Sequence, residues 1–261
     1  MTGLFADYHK ERDAFLSLLK PDCEKRILLF HGKSGTGKTK LMQTCENHVC
    51  DPFCYIPMQL RGSSVNVPEL FFRAGSRIGW ENLGHFTEQV SDLSHAQVNV
   101  NIEKNRQVGM GNMIRVALTA ENPMDREERR AMVTEAWFED IRQMENPVLM
   151  TMDTYEQASN EMKEWVSGPF LSRVAWCKTI RVAVAGQEVP NPNNIEWHRC
   201  VDSHELFGVR EAEHWLPVVK AMRRIVPEEP QLSWWLGGIC QALEGRPDKI
   251  IKFIEGLPCR K

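Results

Sequence analysis

Gly32, Gly37, Lys38 and Thr39 stand at the fixed positions of G-x-x-x-x-G-K-[ST] in the stretch His31-Gly-Lys-Ser-Gly-Thr-Gly-Lys-Thr39. A loop built this way wraps an anion with backbone N–H groups. Gly32, Gly35 and Gly37 permit the backbone angles and the close approach that side chains obstruct. Lys38 is the candidate cation for a β- or γ-phosphate, and the Thr39 hydroxyl is a candidate Mg²⁺ ligand. Lys33, Ser34, Thr36 and Lys40 complete the candidate nucleotide-binding loop.

A second chemical locus lies about 115 residues downstream of Lys38. There the apolar run Val148-Leu-Met-Thr-Met152 ends in Asp153-Thr-Tyr-Glu156. A buried strand ending in Asp is the Walker B pattern, in which the carboxylate holds Mg²⁺ or its water. Asp153 is therefore expected to act with Thr39 at the metal. Glu156 is a candidate general base that orients or deprotonates an attacking water, or else a cap for the next helix. A third strand, Lys178 to Ala185, finishes in Gly186-Gln187-Glu188, which makes Gln187 a candidate γ-phosphate sensor or an ordinary turn residue.

The elements that must position these groups follow from periodicity. Arg26 to Phe30 reads as a short buried strand entering the phosphate loop, and Lys38 to about His48 as a helix leaving it. Residues 4–19 place Leu4, Phe5, Tyr8, Phe15, Leu18 and Leu19 at mostly helical spacing before Pro21. Phe53 to Leu60 is a strand, which Pro57 assigns to a sheet edge or an early end. Pro68 to Gly75 reads as helical. The Asn/Gln/Gly-rich stretch over 76–120 reads as an insertion or mobile loop, with a small strand or hairpin at Val98, Val100 and Ile102 broken by Gly109 and Gly111. Residues 125–145 form an amphipathic helix with an inner stripe of Met132, Ala136, Trp137, Ile141 and Met144. A helix over Gln157 to Arg173 turns Trp165 and Phe170 inward, Pro190 to Asn194 is a loop, and His204 to Phe207 is a last strand. Three helical segments then follow: Arg210 to about Ile225, Leu232 to Leu243, and Asp248 to Ile254. Strand–helix alternation implies a three-layer α/β domain with a mainly parallel sheet over residues 1–203, and a helical lid subdomain over 204–261.

Composition narrows the partners. Hydrophobic residues make up 42% of the 261, enough for a core. The 32 basic and 35 acidic residues leave a net charge of −3, with no global reason to expect nucleic acid or an anionic membrane. The N-terminus is charged and amphipathic, and no run approaches the ~18 apolar residues of a membrane span, so a cytoplasmic location is expected. The eight cysteines are then expected to be reduced. Cys45, His48, Cys50 and Cys54 lack paired zinc-ligand spacing and read as small packing residues.

ILLFHGKSGTGKTKLM, TEAWFEDIRQMENPVLMTMDTYEQA and VAVAGQEVP together resemble the STAND class of P-loop NTPases, signal-transduction relatives of the AAA+ ATPases, especially bacterial members. The resemblance implies a P-loop NTPase core with a helical lid, ATP or ADP with Mg²⁺ as ligand, and a nucleotide state that controls protein–protein association. It also implies a setting in antiphage or other conflict systems, with a separately encoded effector and homo- or hetero-oligomers as partners. Gly245-Arg246-Pro247 falls where this class has its G-x-P motif, which would place Pro247 beside the adenine. FADYHKE, with Phe5 and Glu11, stands in place of an aromatic–glycine–Arg–Glu signature but lacks its Gly-Arg, and Gly186-Gln187 replaces a usual Gly-Arg. Loss of that permanent charge implies slow or absent hydrolysis. Two rival readings are an oligomeric AAA+-like ATPase that remodels protein or nucleic acid, and a degenerate scaffold that binds protein partners. The first needs an arginine finger, for which Arg126, Arg129 and Arg130 are candidates.

Overall fold

The computed structural model describes residues 7–61, 65–94, 106–120, 122–228 and 230–258. Five strands form one sheet: β1 (Ile27–His31), β2 (Cys54–Gln59), β3 (Val148–Asp153), β4 (Ile180–Gly186) and β5 (Val201–Glu205), in the spatial order β2-β3-β4-β1-β5. Every pairing is parallel, with registers such as Ile27↔Val182, Ile27↔Val201, Cys54↔Val148 and Val148↔Ile180. β3 and β4 have neighbours on both edges and helices on both faces, so each is buried along its whole length. Pro57 falls on β2, which among the described residues pairs only with β3 at the sheet edge.

The helices are α1 (His9–Leu18), α2 (Lys38–Glu46), α3 (Val67–Ile78), α4 (Gly84–Ser94), α5 (Arg106–Leu118), α6 (Pro123–Gln143), α7 (Asn160–Trp165), α8 (Leu171–Trp176), α9 (Ala212–Ala221), α10 (Gln231–Ala242) and α11 (Pro247–Glu255). Alternate side chains of a strand point to opposite faces, and this period divides the interior in two. Ile27, Leu29, Met150, Val182 and Val184 pack with α3 to α8 in a first core rich in aromatics. Leu28, Phe30, Leu149 and Ala183 pack with α1, α2 and α9 to α11 in a second. None of the helices among the described residues is long and apolar enough to cross a membrane.

Several expected elements change on folding. Residues 76–94 and 106–120 are not a projecting loop: α4 and α5 lie against α3 and α6, and they bury Phe86, Val90, Ile114 and Ala117. Gly109 and Gly111 sit inside α5 rather than breaking an element. A Cβ on Gly111 would lie 3.3 Å from a ring atom of Phe72, so glycine there lets α5 pack closely on α3. The strand expected at Val98, Val100 and Ile102 lies outside the described residues, as do Leu4 and Phe5.

On α6 the inner stripe is Val133, Ala136, Trp137, Phe138 and Ile141, whereas Met132 is exposed and Met144 half-buried. The helix expected over 157–173 becomes α7, a π-turn at Val166–Phe170 that contains Pro169, and α8. A proline lacks the N–H that a regular turn requires, which accounts for the irregularity. β5 begins at Val201, so the boundary expected between 203 and 204 falls inside a strand; the lid helices begin at Ala212.

α4 is held from outside its own sequence. Asp140 on α6, 5% exposed, accepts the backbone N–H groups of His85 (3.1 Å) and Phe86 (2.8 Å) and meets His85 Nδ1 at 2.7 Å. The hydrogen bond to Asp140 raises the His85 pKa above its ordinary value. A raised native pKa means that the extra stability is fully present below the ordinary value of about 6.5 and disappears as pH rises through the native value. The stability gap between wild type and His85→Ala, measured by urea denaturation, is therefore expected to be wider at about pH 5.5 than at about pH 8.5. An equal gap at both would show that the pair carries no charge-dependent stabilisation.

Candidate functional site

The carboxyl ends of β1, β3 and β4, the start of α2 and the lid enclose a cleft of about 470 Å³. Ser34, Gly35, Gly37, Lys38, Thr39, Lys40, Asp153, Glu156, Gln187 and Pro247 all line it, so most of the residues singled out in the sequence converge on one space. Gly32, Lys33 and Thr36 do not line it. Gly32 has φ +150, and a Cβ there would lie 2.4 Å from the Leu206 carbonyl oxygen. Thr36 is buried and Lys33 is exposed. Their backbones shape the loop: the Lys38 ammonium donates to the carbonyls of Gly32 (2.6 Å) and Lys33 (2.8 Å), and Thr36 O accepts the Tyr8 hydroxyl (2.6 Å), while the Thr36 hydroxyl donates to Lys33 O (2.9 Å).

Lys38 is electrostatically poised. Desolvation pushes its pKa below the usual lysine range, and the carboxylates of Glu156 and Asp153 oppose that shift. Gly37, at φ 95, caps α2, whose free N–H groups face the loop. Asp153 is 8% exposed, and its Oδ1 accepts the N–H of Thr154 at 2.8 Å. Thr39 and Asp153 also line a small adjoining cavity of about 100 Å³ together with Gln43, Glu46 and Gln59. A set of hydroxyl, carboxylate and amide oxygens suits a hard cation, so Thr39 and Asp153 fit Mg²⁺. Glu156 is engaged by the neighbouring strand: its Oε2 accepts the Gln187 N–H at 2.9 Å, and the Gln187 amide lies 3.5 Å from Oε1. Gln187 thus sits beside the candidate base as well as beside the cleft.

Other lining residues escaped the sequence reading. Arg61, two residues beyond the end of β2, adds an exposed cation, and Asp7, Tyr8, Trp215, Asp248 and Ile251 line the cleft as well. The only signal for Asp7 and Tyr8 is that they stand in FADYHKE, which lacks the expected Gly-Arg. Tyr8 caps α1 in the left-handed region (φ 76), and its burial raises the phenol pKa. A Cβ on Gly37 would lie 3.6 Å from Tyr8 Cε2 and 3.7 Å from Pro247 Cγ, so the N-terminal segment and the lid meet over the phosphate loop. Asp248 approaches Gly35 in the same way and is paired with Arg246 at 2.9 Å.

The candidate arginine fingers are placed elsewhere. Arg126 donates to Ala120 O (2.9 Å) and Arg129 to Leu93 O (3.2 Å), while the buried Arg130 pairs with Glu127 and Glu161. Each of the three spends at least one guanidinium N–H on a partner within the chain.

The parallel order β2-β3-β4-β1-β5, the phosphate loop after β1 and the acidic end of β3 define a P-loop NTPase fold of the AAA+ kind, with a helical lid. Among solved structures the chain is similar to the Walker-type ATPase PABY2304 of Pyrococcus abyssi, at 13% identity and a TM-score of 0.52, over 95% of this chain and 66% of that one. Lower scores are found for Cdc6p from Pyrobaculum aerophilum (11% identity, TM-score 0.46, 98% of this chain and 62% of that one). They are also found for a chain of Drosophila ORC bound to AT-rich DNA and Cdc6 (11%, 0.41, 76% and 55%). The chain thus spans less than two thirds of the length of each. No protein-family model and no curated protein matches the sequence.

Proposed function

We propose that this chain is an ATP–Mg²⁺-binding module whose nucleotide state controls its association with other proteins. One observation carries the reading: loop, metal-site and lid residues line a single cleft, so one nucleotide would touch both the sheet and the lid. When bound, Mg²⁺ would neutralise phosphate charge, with Thr39 and Asp153 as its protein ligands. Lys38 would turn from the Gly32 and Lys33 carbonyls to the phosphates, and Pro247 would rest against the base. Glu156 would hold the water, at a slow rate, because Gln187 brings no permanent charge to the γ-phosphate. The module would act in the cytoplasm, STAND-like, through separately encoded protein partners or further copies of the chain, in a signalling or antiphage role. The engaged arginines of α6 weigh against a remodelling ATPase that needs one of them in trans.

Calorimetry of ATP and ADP binding with Mg²⁺ tests the proposal: a difference between the two supports a switch, and no nucleotide binding overturns it. Glu156→Gln is expected to keep ATP affinity within about threefold, because the amide retains much of the carboxylate's shape, while the bound nucleotide stays ATP. Chromatography of the nucleotide released after incubation checks this. Recovery of ADP at the wild-type rate would remove Glu156 from the mechanism.

A further inference from the structure

A groove of about 550 Å³ opens at the other end of the sheet, where β1, β4 and β5 begin. Trp176 (81%) and Ile195 (88%), among the most exposed large apolar side chains described, both stand on it. The buried Trp197, whose Nε1 donates to Ser167 O at 3.0 Å, lines it as well. Its cations are Arg26, Lys178 and Arg199. Lys25 and Arg181 add charge alongside: Lys25 Nζ donates to Arg199 O at 3.1 Å, and the Arg181 guanidinium donates to Lys178 O at 2.6 Å. Arg26 spends one donor on Ala175 O at 2.8 Å, and its buried Nε has no partner among the described residues. The ion pairs that arginine and lysine make among the described residues all lie elsewhere. Glu196, the acid among the lining residues, accepts from the Ser172 hydroxyl. Burial and the charge of Arg26 together lower the Arg181 pKa, which fits cations gathered without a counter-ion.

Single exposed hydrophobics need no explanation, but an indole and an isoleucine that share one concave surface with unpaired cations do. Deepening the protein association proposed above, and resting on it, we infer that this groove docks an acidic segment of a protein partner. One or two carboxylates of that segment meet Arg26, Lys178 and Arg199, and a large apolar side chain settles against Trp176 and Ile195. Charge complementarity selects the sign of the partner, since the chain as a whole carries −3 and this patch reverses that sign. Arginine grips a carboxylate through two parallel bonds, and tryptophan supplies a large contact area with few torsions to freeze. A nucleic acid draws its affinity from a longer track of phosphate contacts, about six to ten. Three cations around an apolar floor fit a short peptide better. The groove and the nucleotide cleft lie at opposite ends of the same strands, so a partner seated here leaves the cleft open.

The test pans a random peptide library against wild type, Trp176→Ser and the double variant Lys178→Ser/Arg199→Ser, all at exposed positions outside the core. Wild type is expected to select peptides in which Asp or Glu flanks Leu, Ile, Phe or Trp. The affinity of a selected peptide, read by fluorescence anisotropy, is expected to fall about tenfold in each variant. ATP binding by the same proteins is expected to stay unchanged, which shows that they are folded. No enrichment, selected peptides without acids, or equal affinity in the variants would overturn the inference. Oligothymidylate bound by wild type and lost in Lys178→Ser/Arg199→Ser would overturn it in favour of a nucleic-acid site. A dimer in sedimentation that Trp176→Ser dissolves would overturn it in favour of an interface between copies. Should wild type discriminate ATP from ADP yet select no acidic peptide, the inference falls alone; should it bind no nucleotide either, the switch falls with it.

Discussion

Lys38→Ala is expected to weaken ATP binding by about a hundredfold or more, roughly 2.8 kcal/mol, the largest effect of any single change at the site. The physical reason is the position of the ammonium. It is held at the mouth of α2 by the carbonyls of Gly32 and Lys33, and its pKa is depressed by desolvation, so its charge acts in a medium that screens poorly. A triphosphate offers this group several anionic oxygens in place of two neutral carbonyls, and such charge-assisted contacts are the strong ones. Removing the side chain leaves the backbone cradle and the dipole of α2 to bind alone. Calorimetry with Mg²⁺ and ATP measures the loss, and the urea midpoint serves as control because Lys38 is only half-buried. An affinity within threefold of wild type would show that the loop does not hold phosphates.

Trp137→Ala is expected to cost about 3–5 kcal/mol of folding stability, the range for deleting a fully buried large aromatic. The ring is 0% exposed, meets Phe138 edge-on at 4.9 Å between centroids, and lies 6.0 Å from Phe71 and 6.1 Å from Phe170. The loss therefore breaks a four-ring cluster that joins α3, α6 and the π-turn. Its Nε1 is buried without a hydrogen-bond partner among the described residues. Trp137→Phe sheds that unsatisfied donor while filling most of the volume, so it is expected to cost far less than Trp137→Ala. Urea unfolding of both variants decides the matter. Equal losses would mean that the indole N–H, and not ring volume, governs the position.

The parts of this fold that were legible are those where one local requirement dominates. Between Gly32 and Thr39 every residue type answers to the loop itself. The largely apolar runs of β3 and β4, interrupted by Thr151 and Arg181, answer to burial on both faces. The stretch over 76–120 hid its helices because glycine and asparagine lower local helix propensity while tertiary contacts decide the outcome. Phe86 and Val90 on α4, and Ile114 and Ala117 on α5, reveal their spacing only once α3 and α6 stand opposite them. β5 begins three residues before the strand expected at His204, because Val201-Asp-Ser-His-Glu205 lies at a sheet edge and buries only its first residue, which hides the strand's pattern. At the site, Lys38, Thr39 and Asp153 carried motif signatures. Asp7, Tyr8 and Arg61 reach the cleft from separate segments by topology, which no spacing in the chain encodes.

The division of the interior by the sheet has a mechanical consequence. The lid, α1 and α2 share the core that contains Phe30, Leu41 and Trp215, whereas Phe71, Phe86, Trp137 and Trp165 lie behind the strands. Displacing the lid would disturb the packing of one face and leave the other intact, so the strands form a wall between a yielding half and a fixed half. Amides of α10 and α11 should then exchange with solvent long before those of β3 and β4. A ligand that joins the lid to the phosphate loop would close the local openings of the first group, while the far side of the wall would feel it only through the stability of the whole molecule.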